Sequence, residues 1–404
     1  MPWTVIGAGL TGLACARRLG ELHPGEEVLL LEARLVGQGA SGRNSGFAVA
    51  SSQFPGKYLP QQIENYRRVN RINGVGLNLL RGLVSENSID CQWSERGFYH
   101  TAADRQAMRE HSNFLHYLDT LEINHRSLDS ADLFERLGCN FYQAGIHVSE
   151  GVLLQPAALV RGLADSLPSN VKLHEQTPVL GINQAKTLKL QLATGEVTTD
   201  RLVLAMNYEV VGLGFLCNKI IGSTLSGSFT RVLTATELAS LGKEKEWGVL
   251  SLHGGGATLR LTRDHRLCIR NTAEYHGSNL LSERDLKLRQ AIHRRAFDKR
   301  FPQLAQVPFE FSWSGVEGIS RNATSFFGRQ RDKIYFAGGY NGSGLSRGTA
   351  FGTAIAEYAS GFDSQIISDC LASKPGKWIP PRPLLDIVAF FTVRSRFNGV
   401  GLDR

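Results

Sequence analysis

Apolar and polar positions change period several times along the chain, and the changes are sharpest at its start. Trp3–Ile6 is a short apolar run that predicts a buried strand. Gly7-Ala8-Gly9-Leu10-Thr11-Gly12 follows at once, and Leu13–Leu22 carries apolar residues at helical spacing. Glu27–Leu31 predicts a second strand, ending on Glu32, which completes a βαβ unit. Residues 62–86 place Ile63, Tyr66, Val69, Ile72 and Leu77–Leu80 on one helical stripe. Cys91–Tyr99 and a helix near Asp104–Leu121 suggest the start of a second domain. Val152-Leu153-Leu154-Gln155-Pro156 then leads into a helix over Ala157–Leu167. Strands are predicted at Val171–Glu175, Val179–Ile182, Leu188–Ala193 and Arg201–Ala205, with Thr194-Gly195-Glu196 as a hairpin turn. Residues 225–275 alternate like sheet, and 282–300 reads as a basic helix. Near the end, Lys333-Ile334-Tyr335-Phe336-Ala337 predicts a strand that runs into Gly338–Gly344, with a helix over Gly348–Ser360.

A length of 404 residues suits two domains better than one. Hydrophobic residues at 42% and charged residues at 20% exclude a disordered chain, a collagen or a coiled coil. The six cysteines form no CxxC and have no histidine at metal-ligand spacing, so reduced thiols, no metal and a cytoplasmic location are expected. No apolar run reaches the ~20 residues that span a bilayer, and no signal peptide is expected at the N-terminus. Basic residues exceed acidic ones by eight, which alone leaves anionic ligands, acidic surfaces and nucleic acid open. Seven of the positive charges lie on the 282–300 helix (Arg284, Lys287, Arg289, Arg294, Arg295, Lys299 and Arg300). No groove-reading or aromatic partners accompany them, so a solvated face is expected there and no nucleic acid. Pro380-Pro381-Arg382-Pro383 and the apolar Leu384–Val393 can meet a membrane or a partner, but the expectation is that they pack back on the first domain.

The glycines carry the chemistry. In a strand–GxGxxG–helix unit the first glycine (Gly7) permits the tight turn, the second (Gly9) lets backbone approach a diphosphate, and the third (Gly12) lets helix and strand pack closely. The helix N-terminus then presents free N–H groups to the phosphates. Glu32 can accept both hydroxyls of an adenosine ribose, and its charge disfavours a 2′-phosphate, so NADP is not expected. Residues 37–46 are rich in glycine and serine around Arg43 and Asn44. They read either as a loop laid along an extended ligand or as a mobile surface loop. The late Gly338–Gly344 turn repeats strand, glycines and helix, which offers a second site of the same kind. An NAD dehydrogenase has no need of it, whereas a flavoprotein must hold its isoalloxazine far from the adenosine.

Together these features resemble the FAD-dependent amine and amino-acid oxidoreductases. That superfamily holds D-amino-acid oxidase, glycine oxidase and sarcosine oxidase, and the gamma-glutamylputrescine oxidase-like branch is the nearest. The resemblance covers nearly the whole chain. It rests on VIGAGLTGLACARRL, the strand ending in Glu32, GASGRNSGF, GVLLQPAALVRGLAD, DRLVLAMN and FAGGYNGSGLSRGTAFGTAIAE. It implies an α/β chain (α+β overall) with a glutathione-reductase-like flavoprotein fold. A Rossmann-type FAD-binding domain (1–86, 151–212 and 329–404 with the C-terminal tail) is interleaved with a sheet-based substrate domain (87–150 and 213–328).

By resemblance, Gly7, Gly9, Leu10, Thr11 and Gly12 hold the diphosphate, and Glu32 holds the ribose beside Ala33 and Arg34. Gly39, Ala40, Ser41, Arg43, Asn44, Ser45 and Gly46 lie by the flavin and its linker. Val179 meets the adenine end, and Gly339, Gly342, Ser343, Gly344 and Leu345 meet the pyrimidine side of the ring. Attachment is expected to be non-covalent: residues 269–369 contain no cysteine, and His23 lies in a helix-to-strand turn.

The departures matter as much. Glu317 stands where the glycine-oxidase pattern has a carboxylate-binding arginine, and the second arginine of that pattern is missing from Tyr340-Asn341-Gly342-Ser343-Gly344. A carboxylate there suits a cationic amine, unless Glu317 pairs with Arg321 or Arg329. Arg270 is a candidate anchor for an anionic group, although an exposed strand arginine is the simpler expectation. Tyr340 is a third substrate-contact candidate. The implied reaction is oxidation of a C–N bond of an amine or amino acid by hydride transfer to flavin N5. The imine then hydrolyses to a carbonyl, and O2 or a quinone takes the electrons. A flavin-dependent 2-hydroxy-acid oxidoreductase and a flavoprotein passing electrons to a partner remain alternatives, in a monomer or homo-oligomer.

Overall fold

The computed structural model describes residues 1–52, 57–184, 187–398 and 400–403. Short apolar runs from distant parts of the chain meet in one mostly parallel sheet. Its six strands run in the order Phe326–Arg331, Ile334–Gly338, Arg201–Leu204, Trp3–Ile6, Val28–Leu31 and Val171–His174. The central strand is in register with both neighbours, Val5 lying opposite Leu30 and Val203. Both faces are covered, which is why these runs are apolar without alternation. Trp3, Val5, Val28, Leu30 and Val203 pack against helices. Ile6, Leu29, Leu31, Leu202 and Leu204 pack against Leu188 and Leu190 of a small antiparallel sheet, Gly181–Gln184, Leu188–Leu192 and Gly195–Thr199.

The second large sheet has eight strands. Their order is Phe309–Ser320, Ile220–Thr230, Leu267–Glu274, Thr258–Leu261, Trp247–Ser251, Phe98–Ala102, Ala144–Val148 and His125–Asp129. Helix Glu283–Arg300 backs it and buries Phe297 with Phe301 and Trp247. Its positive charges divide. Arg284, Lys287, Arg295 and Lys299 are solvated, while Arg289 forms a fork with the Glu274 carboxylate at 2.7 and 2.8 Å and Arg300 is buried against Asp403.

Helices Leu10–Leu22 and Gly344–Ala359 lie against each other and join the two glycine-rich turns into one body. They meet backbone to backbone. A methyl group added at Gly352 lies 2.2 Å from the Thr11 carbonyl oxygen, and one at Gly12 lies 1.7 Å from that of Gly7. The buried Thr11 and Tyr340 hydroxyls, 2.7 Å apart, pin the contact beside the cavity described below.

Several sequence expectations shift. The late helix begins at Gly344, not Gly348, because residues 345–352 are all buried and their packing outweighs the low helix propensity of glycine. The strand expected at Val179–Ile182 spans Gly181–Gln184, and the Leu180 amide just before it donates to the Gln191 carbonyl at 2.8 Å. The hairpin turn sits one residue early, as Gly195 already pairs with Leu192. His125–Asp129, Ser130–Leu137 and Ala144–Val148 are elements that the pattern did not reveal. Among the described residues, the C-terminal segment is placed against the second large sheet and not, as expected, on the first domain. Helix Leu384–Asn398 lies against strand Leu267–Glu274 of the eight-stranded sheet, and Arg382 donates to the Tyr275 hydroxyl at 3.0 Å.

The glycine contact gives a contrast measurable by urea unfolding. Gly352→Ala forces the two helices apart and is expected to cost at least about 3 kcal/mol, the upper end of ordinary overpacking. Gly74→Ala, in a helix with nothing within 4 Å of the added methyl, is expected to gain about 0.5–1 kcal/mol.

Candidate functional site

One large cavity of about 1540 Å³ runs between the two sheets. It exceeds the ~300–1,000 Å³ of an ordinary small-molecule pocket and suits a long ligand with a second one beside it. All of the contacts predicted from sequence line it except Gly12, Gly46 and Gly339, which lie behind its wall.

At one end stands the N-terminus of helix Leu10–Leu22. Gly9 caps it without a side chain, and among the described residues the Leu10 amide is the one in the first turn that donates to a side chain, Ser41 Oγ at 3.0 Å. The Glu32 carboxylate closes the loop behind it, accepting from the Ala8 amide at 2.8 Å and the Arg34 amide at 3.0 Å. Those two bonds fix its orientation and leave lone pairs for further donors. Thr177, Pro178 and Val179 form the outer wall.

Residues 37–46 are a braced loop. The Asn44 amide donates to the Ser41 carbonyl at 2.7 Å and its oxygen accepts from the Gly46 amide at 2.9 Å, so this side chain holds the loop together. Arg43 donates from Nε to the Gln38 carbonyl at 2.7 Å and from Nη1 to the Ser314 carbonyl at 3.2 Å, tying the loop to the eight-stranded sheet. Burial pulls its pKa below the ordinary arginine value, with the positive charge of Arg34 as a second cause.

The second glycine turn brings Gly342, Ser343, Gly344 and Leu345 to the cavity at the start of helix Gly344–Ala359. Tyr340 lines the cavity too, but its hydroxyl meets Thr11 and its ring stands edge-on to Phe351. Its polar tip is thus spent on helix packing, and burial raises its pKa. Gly339 donates to Asn207 Oδ1 at 2.9 Å, a contact that no sequence pattern announced. Two facing helix N-termini and a fixed carboxylate form a donor and acceptor set that fits a diphosphate-bridged dinucleotide such as FAD.

The opposite wall is the face of the eight-stranded sheet. Glu317, on the edge strand, pairs in register with Ser223, and Arg270, two strands away, pairs with Gly227. Both side chains line the cavity. Arg270 is therefore not the exposed strand arginine that is the simpler expectation from sequence. Burial lowers its pKa, and the negative charge of Glu317 opposes that fall. Arg270 also donates to Thr258 Oγ1. Apolar Leu225, Leu250 and Trp313 lie around the pair.

Sequence reasoning passed over His100. It lines the same cavity from strand Phe98–Ala102, stacked edgewise on Phe114, and burial pushes its pKa down to about 3. Its imidazole is neutral throughout the physiological range. No local pattern signalled it, because the strand is buried on both faces.

Comparison with known proteins agrees with this geometry. The chain matches the DAO family, described as FAD dependent oxidoreductase, over residues 3–358. It is 26% identical over 388 residues to a probable oxidoreductase OrdL of Haemophilus influenzae, covering 90% of this chain and 83% of the relative. It is 26% identical over 414 residues to the gamma-glutamylputrescine oxidoreductase of Escherichia coli, covering 98% and 92%. Glycine oxidase from Geobacillus kaustophilus shares the fold with a TM-score of 0.74 at 17% identity, covering 90% of this chain and 95% of that one. L-Proline dehydrogenase from P. horikoshii does so with a TM-score of 0.73 at 17% identity, covering 90% and 94%. Matched over most of its length and carrying both glycine-opened helices, the chain belongs to the FAD dependent oxidoreductase family.

Proposed function

We propose that the chain oxidises a C–N bond in an amine or amino acid that carries both a carboxylate and an amino group. The observation that supports this most directly is the pair of opposite charges, Arg270 and Glu317, on one wall of a single cavity. In a site screened from water such charges select strongly. A substrate that carries both charges can meet both groups on the wall at once, its carboxylate toward Arg270 and its amino group toward Glu317. Glu317 also disfavours a simple 2-hydroxy acid, whose only charge has the same sign. The relatives named for gamma-glutamylputrescine, glycine and proline act in the same chemical range.

Gly7, Gly9, Leu10, Thr11 and Glu32 are the residues that hold the adenosine diphosphate part of FAD in this reading. Gly342 to Leu345 hold the far side, without a covalent bond. Bound FAD supplies the two-electron acceptor. Arg270 orients the substrate carboxylate through its guanidinium N–H groups. Glu317 draws in the ammonium and accepts its proton at a carboxylate oxygen, leaving a neutral amine from whose α-carbon hydride loss is easiest. His100, kept uncharged by burial, adds no competing cation. Leu225, Leu250 and Trp313 keep water from the reacting carbon. The substrate leaves as an imine that hydrolyses to a carbonyl, and O2 or a quinone is the acceptor class that completes the cycle.

Two measurements check this. In an anaerobic screen of polyamines, N-methyl amines, both amino-acid enantiomers and hydroxy acids, flavin bleaching is expected with amines that also bear a carboxylate. Arg270→Met is expected to raise the half-saturating concentration of those substrates at least tenfold while sparing diamines, and Glu317→Gln to weaken the diamines. Bleaching by hydroxy acids alone, or by no small molecule, sinks the proposal. Separately, Glu32→Ala is expected to weaken FAD binding about tenfold or more in a fluorescence titration, with the unfolding profile of the apoprotein little changed. Unaltered affinity removes Glu32 from the cofactor site.

A further inference from the structure

The C-terminal residues make a strap across the mouth of the cavity. Ile379, Pro380, Pro381, Arg382, Leu385 and Val393 line the cavity from outside the two sheets. The strap is fastened along its length. The Ile379 amide donates to the Asn218 carbonyl at 2.7 Å, Arg382 bonds Tyr275, and Asp403 is buried against Arg300. Among the described side chains of helix Leu384–Asn398, a narrow stripe, Leu385, Ala389 and Val393, faces the body of the protein. Its outward side is apolar as well. Leu384, Ile387, Val388, Phe390 and Phe391 are 43–64% exposed, and Trp378 just before the helix is 53% exposed. At 100° per residue the five helical positions cover roughly 160° of the circumference. An exposed apolar ridge of this size on a folded protein marks a contact surface.

We infer that this strap is an interfacial anchor that rests the protein on an anionic lipid surface, with the mouth of the cavity turned toward it. Charge identifies the occupant. Lys374 and Lys377 are exposed on either side of Pro375 and Gly376, just before Trp378. In sequence, residues 373–398 hold five basic residues against Asp386 alone, a net of four positive charges for the segment. Anionic headgroups complement that charge, at about 1 kcal/mol for each basic residue near the surface. Trp378 flanks the ridge, where an amphipathic ring sits well between headgroup and acyl chain. A second copy of the chain is disfavoured, because a twofold contact through this face brings the exposed Lys374 and Lys377 of both copies to the same interface. The ridge is also convex, which fluid acyl chains accommodate without a complementary groove. Among the described residues no helix is long and apolar enough to cross a membrane, so the helix lies on the surface and does not span it. Nothing in this inference depends on which substrate is oxidised.

Flotation of the holoprotein with lipid vesicles tests it, using equimolar phosphatidylglycerol and phosphatidylcholine against phosphatidylcholine alone. The wild type is expected to float with the anionic vesicles, several-fold more than with the neutral ones, and to be partly released by salt. The double variant Ile387→Ser/Phe391→Ser alters two exposed side chains and is expected to lower partitioning at least tenfold, with flavin content and melting temperature unchanged. Three results overturn the inference. The wild type floats with neither vesicle, or the double variant floats as well as the wild type. Alternatively, the wild type is a dimer in solution that the double variant splits into monomers, which assigns the ridge to a second copy.

Discussion

The backbone contact between helices Leu10–Leu22 and Gly344–Ala359 sets the geometry of everything else. At Gly352 the late helix comes so near the Thr11 carbonyl that no side chain fits, and at Gly12 the first helix meets the Gly7 carbonyl of its own turn. These approaches fix both helix N-termini at one cavity, although some 330 residues separate them in sequence. Each N-terminus carries roughly half a positive charge from its peptide dipoles. Held apart, they are two weak anion sites. Held together by a contact that only glycine allows, they form one extended cradle, and the Thr11–Tyr340 bond keeps its two ends in step.

The cavity then divides its work between backbone and side chains. Toward the six-stranded sheet, the cavity presents amides, helix dipoles and the one fixed carboxylate of Glu32. Toward the eight-stranded sheet, it presents Arg270, Glu317 and apolar side chains. The first kind is rigid, because moving an amide means moving a helix. The second sits on strands whose ladder hydrogen bonds are unaffected by which side chain points inward. That explains how one fold serves relatives named for such different substrates as glycine, proline and gamma-glutamylputrescine. The Arg43 bonds to Gln38 and Ser314 couple the halves, so the braced loop also sets the distance between cradle and sheet.

The same division decides what the sequence made legible. Gly7, Gly9 and Gly12 sit where backbone or a side chain comes too close for a larger residue, so they and the late glycine turn could be read as turn and packing positions. The parallel strands were legible because burial on both faces leaves unbroken apolar runs. His100 and Asn207 were not, since nothing local distinguishes a cavity-facing histidine from a core one, or an asparagine that caps a turn in a distant segment. Tyr340 was legible as a residue near the site, but the direction of its hydroxyl depended on Thr11, 329 residues away. The late helix was placed four residues short because glycine propensity was weighed without the packing that overrides it.

The C-terminal strap shows the limit most sharply. Its composition is that of a core helix, so packing against the first domain was the natural expectation. Where a helix docks, however, is decided by which surface still needs cover. The first domain has both faces of its sheet occupied already, by helices on one side and by the small antiparallel sheet on the other. The strand Leu267–Glu274 and the open mouth of the cavity were what remained. Among the described side chains they take up the Leu385, Ala389 and Val393 stripe, and Leu384, Ile387, Val388, Phe390 and Phe391 are left outside. A chain that needed only to close its cavity could do so with a polar outer face at no cost to the inner stripe. The apolar outer face is therefore not something the fold itself requires, and it belongs to a segment whose inner side lines the cavity.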